Sequence, residues 1–294
     1  MRLALFKMHL AVFLAGFTGI FGKLIDMNEG LITWYRLLLT WLILGAVLLF
    51  RGELRSVPWR EFLKIGGLGA ILALHWAFFY ASIKYSNVSI CVVCFSTTGF
   101  FTAVLDPVFS RRRVSALEIL FSFITIFVIA LIFPFDSRYR AGVVLGVASA
   151  VLMALFLIFN KKVGRAHSSS TMLFYEVVGG SVLVTALLPF YLSFFPAPLA
   201  PGAFDLFNLL LLSGVCTVCL YLLQIQALQE VSPFTVGVSY NLEPVYSIIL
   251  AAILFGEMRE VNVFFFIGLA LVCVSVLLRT LRLMRSRPPE ALTE

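Results

Sequence analysis

Ten apolar stretches of membrane-spanning length fill most of this 294-residue chain, and they limit its fold to a bundle of transmembrane helices. A helix rises about 1.5 Å per residue, so about 20 apolar residues cross a hydrocarbon layer about 30 Å thick. The stretches lack the alternation of polar and apolar residues that transmembrane strands require. With 61% hydrophobic and 13% charged residues, the chain has too little polar surface for a soluble globule. We therefore predict an all-α membrane protein with ten transmembrane helices.

The connections between the predicted spans are too short to hold a soluble domain. Residues 84–87 and 110–113, for example, leave room only for antiparallel neighbours. The first span follows Arg2 and Lys7 as in a signal peptide, but its repeat partner is internal, so we expect it to be retained. The ten predicted spans are residues 8–22, 31–50, 62–83, 88–109, 114–134, 141–159, 170–194, 204–224, 234–255 and 261–278.

Residues 227–260 repeat the pattern of residues 81–114 at an offset of 146 positions. Five spans precede the midpoint and five follow it, so we predict two five-helix repeats, residues 1–137 and 138–294. An odd number of spans makes the second repeat enter the membrane from the opposite side, and inverted repeats of this kind serve alternating access in secondary transporters. A channel-like or accessory protein and, less favoured, a membrane enzyme remain the alternatives. In the ungapped register Ala81, Ser86, Val92, Phe109 and Arg113 correspond to Ala227, Ser232, Val238, Phe255 and Arg259.

Lysine and arginine are distributed unequally between the two sides of the predicted bundle. With the N-terminus inside, 16 of these residues lie on the cytoplasmic side, five lie on the other side, and Arg36 lies within a span. The positive-inside rule therefore places both termini in the cytoplasm, and we expect a multi-pass protein of a bacterial inner membrane. The basic residues at the cytoplasmic side set the orientation of the chain and attract anionic lipid, which accounts for the net charge of +7. We therefore expect no nucleic-acid partner.

A motif near the end of the ninth span resembles a known family. The run Asn241-Leu242-Glu243-Pro244-Val245-Tyr246, followed by Gly256-Glu257, is similar to the terminal signature of EamA-type carriers of the drug/metabolite transporter superfamily. The resemblance covers essentially the whole chain. It implies secondary transport, here taken as export, of a small polar metabolite such as an amino acid or nucleobase, without ATP hydrolysis. It also implies a central cavity lined by spans 1–4 and 6–9, with spans 5 and 10 at the periphery.

The two repeats differ at this motif. The first repeat has Thr98 where the second has Pro244, and Ser110-Arg111 where the second has Gly256-Glu257. Only the second half can therefore supply the proline and the acidic helix end. A strictly symmetric mechanism is not expected.

Arg36 in the second span is the first candidate for substrate binding. An ionised side chain at the bilayer centre costs about 2.5 kcal/mol or more, so Arg36 should face a cavity, with Trp34 and Thr40 one turn away or less. The alternative is an arginine that extends to the headgroups. Glu176 in the seventh span, beside Tyr175, lies in the opposite third of the membrane, and we expect no ion pair between it and Arg36.

Glu243 is the predicted carboxylate nearest the middle of a span. Thr235, Ser239, Glu243 and Ser247 follow at i+4 spacing and form one polar stripe, with Tyr246 one turn beyond Glu243. The stripe must meet the cavity or another helix, because turning it towards lipid is costly. Glu243 is interpreted as a substrate or proton contact, or else as a structural carboxyl beside the break at Pro244.

Spans 3, 4 and 8 supply the remaining candidates. His75, in the same span as Phe79, either accepts a proton or hydrogen-bonds to a neighbouring helix. Its repeat counterpart is Tyr221. The cysteine pairs Cys91/Cys94 and Cys216/Cys219 lie inside apolar helices, so we interpret them as packing residues and expect no metal or cofactor. The titratable groups are spread between opposite faces, which argues against an enzyme.

These considerations predict a transporter with a polar and aromatic site. Its expected partners are a small-molecule substrate, the lipid bilayer and protons, with homodimer formation left open. Glu243 and Glu176 are predicted to couple transport to protons. The residues predicted to bind substrate are Arg36, Trp34, Thr40, His75, Phe79, Ser96, Thr98, Tyr175, Tyr221, Gln224, Ser239 and Tyr246.

Overall fold

The computed structural model describes residues 2–110 and 139–255, and within these ranges the protein is helical with no strand. The described residues form eight helical spans that are long and apolar enough to cross a membrane. They agree with the eight predicted spans in these ranges to within a few residues at most ends. The predicted fifth and tenth spans, residues 114–134 and 261–278, lie outside the described residues.

Eleven α-helices build these eight spans. A break separates α4 from α5, a π-helical turn at Gly214–Cys219 joins α8 to α9, and a 3-10 turn at Tyr240–Leu242 joins α10 to α11. The helices are α1 (Arg2–Leu24), α2 (Glu29–Phe50), α3 (Trp59–Tyr85), α4 (Val88–Phe95), α5 (Thr98–Ser110), α6 (Arg140–Val163), α7 (Ser169–Phe194), α8 (Ala203–Ser213), α9 (Leu220–Glu230), α10 (Pro233–Ser239) and α11 (Glu243–Phe255).

Four polar residues set helix starts in both halves. Asn28 and Asn87 cap α2 and α4, and Ser168 and Ser232 cap α7 and α10, each by accepting a hydrogen bond from the backbone N–H three residues on. Such caps satisfy donors that have no partner inside the helix. The caps fall on corresponding spans of the two halves, as a duplication requires.

Both repeats interrupt their fourth span at the same point. The break after α4 lies at Ser96, and an offset of 146 from that residue leads to Leu242, at the end of the 3-10 turn. The first copy breaks without a proline, because the hydroxyl groups of Ser96, Thr97 and Thr98 donate to carbonyl groups three residues earlier at 2.6–2.7 Å. Pro244 is therefore not required for the interruption as such.

Glycine contacts hold α3 against α7. A Cβ atom added to Gly69 would lie 1.7 Å from the backbone oxygen of Glu176, and one added to Gly179 would lie 2.2 Å from the Cα of Gly66. Small residues let transmembrane helices approach to backbone contact, where dispersion and polar contacts hold them together. This crossing makes α3 a central helix, with α6 and α7 as its main neighbours.

The eighth span is longer than predicted. It was expected to end at residue 224, but α9 continues to Glu230. The two glutamines that lowered the apolar signal, Gln224 and Gln226, do not end the helix, because it packs against α1 inside the bundle. Gln224 itself is fully buried at 1% exposure.

Candidate functional site

A narrow cavity of about 20 Å³, with room for about one water molecule, lies in the middle of the bundle. Seven of the eight described spans contribute to its wall, and the seventh span, α7, does not. Every lining side chain is at most 7% exposed, so the cavity is closed to bulk water and lipid in this conformation. The lining residues are Ala15, Thr18, Arg36, His75, Trp76, Phe79, Phe95, Met153, Leu220, Tyr221, Tyr240 and Glu243.

Arg36 is fixed at the wall of this cavity by three hydrogen bonds. Its Nε donates to Thr217 Oγ1 at 2.8 Å, Nη1 donates to the Tyr80 hydroxyl at 2.8 Å, and Nη2 donates to the Cys216 carbonyl at 3.0 Å. The guanidinium carbon lies 3.8 Å from the ring centroid of Trp76, a cation–π contact. Arg36 therefore faces the cavity and does not extend to the headgroups. A guanidinium has five N–H donors, so two remain beyond these contacts with described residues.

The π-helical turn at Gly214–Cys219 supplies two of these three partners. A π-turn shifts the backbone hydrogen bonds by one residue and leaves a carbonyl available for another partner. The carbonyl of Cys216 accepts from Arg36, and the Thr217 hydroxyl accepts from Arg36 while donating to the Leu212 carbonyl at 2.8 Å. The sequence indicated that Cys216 serves packing, and no pattern in it marked Thr217 or the turn.

Glu243 lies on the same cavity, at the start of α11. Its side chain is 2% exposed, and its Oε2 has no hydrogen-bond partner among the described residues. Among those residues it also forms no ion pair with Arg36, although both line the cavity. A buried carboxyl oxygen without a donor is costly, so it is suited to receive a proton or a donor from a ligand.

The rest of the predicted polar stripe contacts α1. The Ser247 hydroxyl donates to the Gly16 carbonyl at 2.8 Å, and the Ser239 hydroxyl donates to the Thr235 carbonyl at 2.9 Å and to the Met8 sulfur at 3.2 Å. The stripe thus meets another helix through its serines and meets the cavity through Glu243. The sequence predicted that the stripe meets either the cavity or another helix, and the structure shows both, at different residues.

Tyr240 occupies the place at the cavity that was expected for Tyr246. Tyr246 packs edge-on against Phe13 at 5.3 Å between ring centroids and does not line the cavity. Tyr240 lies one turn before Glu243, a spacing of i−3 that could have identified it, and its hydroxyl donates to Gln224 Oε1. Gln224 does not line the cavity itself. Its Nε2 has no hydrogen-bond partner in the described part of the chain.

His75 and its neighbours form an aromatic side of the cavity. The Nδ1 of His75 lies 2.8 Å from the Ser149 hydroxyl and 3.0 Å from the Ser149 carbonyl, so it bonds to α6. Trp76 Nε1 donates to the Tyr221 hydroxyl at 2.9 Å. Phe79 packs edge-on against Phe95 at 5.5 Å. Proton transfer by His75 stays a prediction.

The other predicted binding residues lie away from the cavity. Trp34 is half-buried and donates from Nε1 to the Thr185 hydroxyl at 2.9 Å, and the Tyr175 hydroxyl donates to the Arg55 carbonyl at 2.9 Å. Thr40 is buried in its own helix and donates to the Arg36 carbonyl at 2.6 Å. Ser96 and Thr98 are likewise bonded within their chain segment at the α4–α5 break.

Glu176 is also separate from the cavity. It is fully buried at the α3–α7 crossing, where Asn160 Nδ2 donates to its Oε1 at 2.5 Å. Its Oε2 has no partner among the described residues. The expected absence of an ion pair with Arg36 and the coupling role of Glu176 both stay predictions.

Metal binding has no support in the described residues. No group of three or more histidine, cysteine, aspartate or glutamate side chains within residues 2–110 and 139–255 could hold an ion. The thiol of Cys91 donates to the Phe79 carbonyl at 3.3 Å, which is a packing contact between α4 and α3.

Comparison with known proteins bears on both fold and family. A solved structure titled "Crystal structure of protein" has a TM-score of 0.75 to this chain at 14% sequence identity, and the match covers 96% of this chain and 99% of that chain. At this identity the likeness shows a shared fold alone. Comparison with curated proteins gives no match.

A family model matches the chain twice. The model of the EamA-like transporter family matches residues 2–133 and again residues 140–281. The duplication and the resemblance at the Glu243 motif are thereby confirmed, while the boundary between residues 137 and 138 stays a prediction. Two matches that together span nearly the whole chain leave one assignment. The protein belongs to the EamA-like transporter family and is a multi-pass membrane transporter of the drug/metabolite transporter superfamily.

Proposed function

We propose that the protein is a secondary active transporter that exports a small polar metabolite, such as an amino acid or nucleobase, across a bacterial inner membrane. One observation carries this proposal: a closed cavity inside the bundle of membrane-spanning helices holds Arg36 with spare donors and Glu243 with an unpartnered oxygen. A structural bundle needs neither group at this depth, since intramembrane ionisable residues are costly to keep.

Arg36 binds an anionic group of the substrate. Its guanidinium is oriented by Thr217, Tyr80 and Trp76, so its remaining donors are presented in a fixed geometry. A planar guanidinium matches a carboxylate in a bidentate arrangement. The aromatic walls contributed by Tyr221 and Phe79 then pack against the apolar part of the substrate.

Glu243 exchanges a proton during the transport cycle. The ionised carboxylate is unfavourable in the closed cavity, where no described residue donates to its Oε2. When the cavity opens to either side, water enters and makes the ionised carboxylate of Glu243 less unfavourable. Coupling through Glu243 needs no cofactor and no catalytic step, and Glu176 is proposed as a second proton-binding group on the other side of α3.

The architecture we propose has ten helices in two inverted repeats. Its support is the opposite direction of corresponding spans: α1 begins at one face of the bundle, whereas α6 begins at the other, where the Ser82 hydroxyl near the end of α3 donates to the Gly142 carbonyl at 2.7 Å. In alternating access, the two halves exchange inward-open and outward-open shapes around the cavity. Both termini are placed in the cytoplasm, and homodimer formation is left open.

The proposal is tested by transport in proteoliposomes. The purified chain is reconstituted, loaded with one member of a panel of amino acids and nucleobases, and assayed for counterflow of the labelled compound. We expect saturable counterflow for a compound with an anionic group, and accumulation when a proton gradient is imposed. Absence of saturable transport across the whole panel, with protein that is folded and inserted, would contradict the proposal.

A further inference from the structure

A second space, separate from the central cavity, opens on the outside of the bundle. It is a groove between α2, α3, α6 and α7, with about 1150 Å³ of space between and in front of its walls. Helix α3 separates the two spaces, because Ala73, Ala77 and Ala81 line the groove while Trp76 and Phe79 line the cavity. The groove therefore lies directly behind the helix that carries much of the candidate site.

The groove opens towards the bilayer. Its rim includes Leu74 and Leu187, which are 37% and 47% exposed although both belong to membrane-spanning helices. Its floor is made by small alanine side chains. An apolar groove with this exposure lies in contact with lipid acyl chains, which the membrane supplies at high local concentration.

One end of the groove is polar. Glu29 is the charged residue among its described lining residues, and it lies at the start of α2 near Tyr85 and Tyr191 at the ends of α3 and α7. Glu29 forms no ion pair with a described residue, but the Tyr191 hydroxyl lies beside its carboxylate and Lys84 is close enough to interact with it electrostatically. Arg140 is exposed beside Ala141, which also lines the groove. This end therefore offers an acceptor, hydroxyl groups and a nearby cation.

We propose that the groove is a binding site for one phospholipid with an amine headgroup. One acyl chain lies along Ala73, Ala77 and Ala81, the ammonium group binds the Glu29 carboxylate, and the phosphate lies on the side of Arg140. Tyrosines are favoured at this depth, where one end of the ring is apolar and the other is wet.

The test is lipid binding to the full chain, followed by native mass spectrometry from one detergent. Phosphatidylethanolamine and phosphatidylglycerol with identical acyl chains are compared. We expect the protein to prefer phosphatidylethanolamine about fivefold, the effect of one charge contact near the membrane surface. Glu29→Gln is expected to abolish the preference and to retain both lipids, since it leaves the apolar walls unchanged.

A second variant tests the acyl chain. Ala77→Phe fills the groove and is expected to weaken binding of both lipids at least about tenfold, because several methylene groups lose their contact with the wall. Ala46→Phe is the matched control, at an exposed position of α2 outside the groove, and is expected to bind lipid as the parent does. Equal binding of the two lipids to the parent would overturn the headgroup assignment. Unchanged binding to Ala77→Phe, or a protein dimer that this change dissociates, would overturn the site.

Discussion

Replacing Arg36 by alanine is expected to weaken substrate binding by about two to four powers of ten. Three of the side chain's N–H donors are bonded within the protein, so two of the five remain for an anionic group. Hydrogen bonds to charged groups contribute about 1.5–3 kcal/mol each. The loss of two corresponds to about 3–6 kcal/mol, and about 1.4 kcal/mol changes a Kd tenfold.

Lysine at this position is expected to have an intermediate effect. It keeps the positive charge but not the planar fork, so one of the two substrate bonds is lost and binding weakens about 10-fold to 100-fold. Alanine also removes the guanidinium from Tyr80 and Thr217, but water can occupy the polar space that it leaves. The effect on folding is therefore expected to be smaller than the effect on binding.

The measurement is the half-saturation concentration for counterflow in proteoliposomes, with equal amounts of inserted protein. Arg51→Ala is the control, since Arg51 is exposed at the end of α2 and removal of its charge leaves the cavity unchanged. If Arg36→Ala transports with the same half-saturation concentration as the parent, Arg36 does not bind substrate and its role is to join α2 to the π-turn.

Three further outcomes are expected. Glu243→Gln should abolish accumulation driven by a proton gradient and retain counterflow, because glutamine keeps the shape without exchanging a proton; accumulation equal to the parent's would leave Glu243 a structural role beside Pro244. Gly69→Ala should cost about 1–3 kcal/mol of stability by overpacking the α3–α7 crossing, seen as a lower Tm, whereas Gly67→Ala, where nothing lies within 4 Å, should not lower it. Equal Tm values for these two variants would contradict the close crossing. A reporter fused after Glu294 should report cytoplasm and one between residues 138 and 140 the opposite side; a shared compartment contradicts the ten-span topology.

The sequence by itself determined the class of protein, the places of the eight described spans, and the duplication. These properties follow from segment length and apolar content, because a span in lipid must satisfy its backbone inside a helix. It also identified Arg36, Glu243, His75, Phe79 and Tyr221, since polar or aromatic side chains at mid-membrane depth need a cavity or a partner.

Only the tertiary structure decided which helix faces meet. A transmembrane helix is apolar on the side that faces lipid and on the side that faces protein, so periodicity does not show which side is which. For that reason Trp34, Tyr175 and Tyr246 were expected at the cavity and lie elsewhere, whereas Trp76 and Tyr240 line it.

Local departures from the α-helix also decided which groups reach the cavity. The 3-10 turn at Tyr240–Leu242 directs Tyr240 and Glu243 to the cavity, and the π-turn at Gly214–Cys219 presents a carbonyl and a hydroxyl to Arg36. Both turns depend on partners that are distant in the chain, such as Gln224 for Tyr240 and Arg36 for Thr217. The spacing of residues in the sequence does not show where such a turn occurs, because contacts between distant parts of the chain hold it in position.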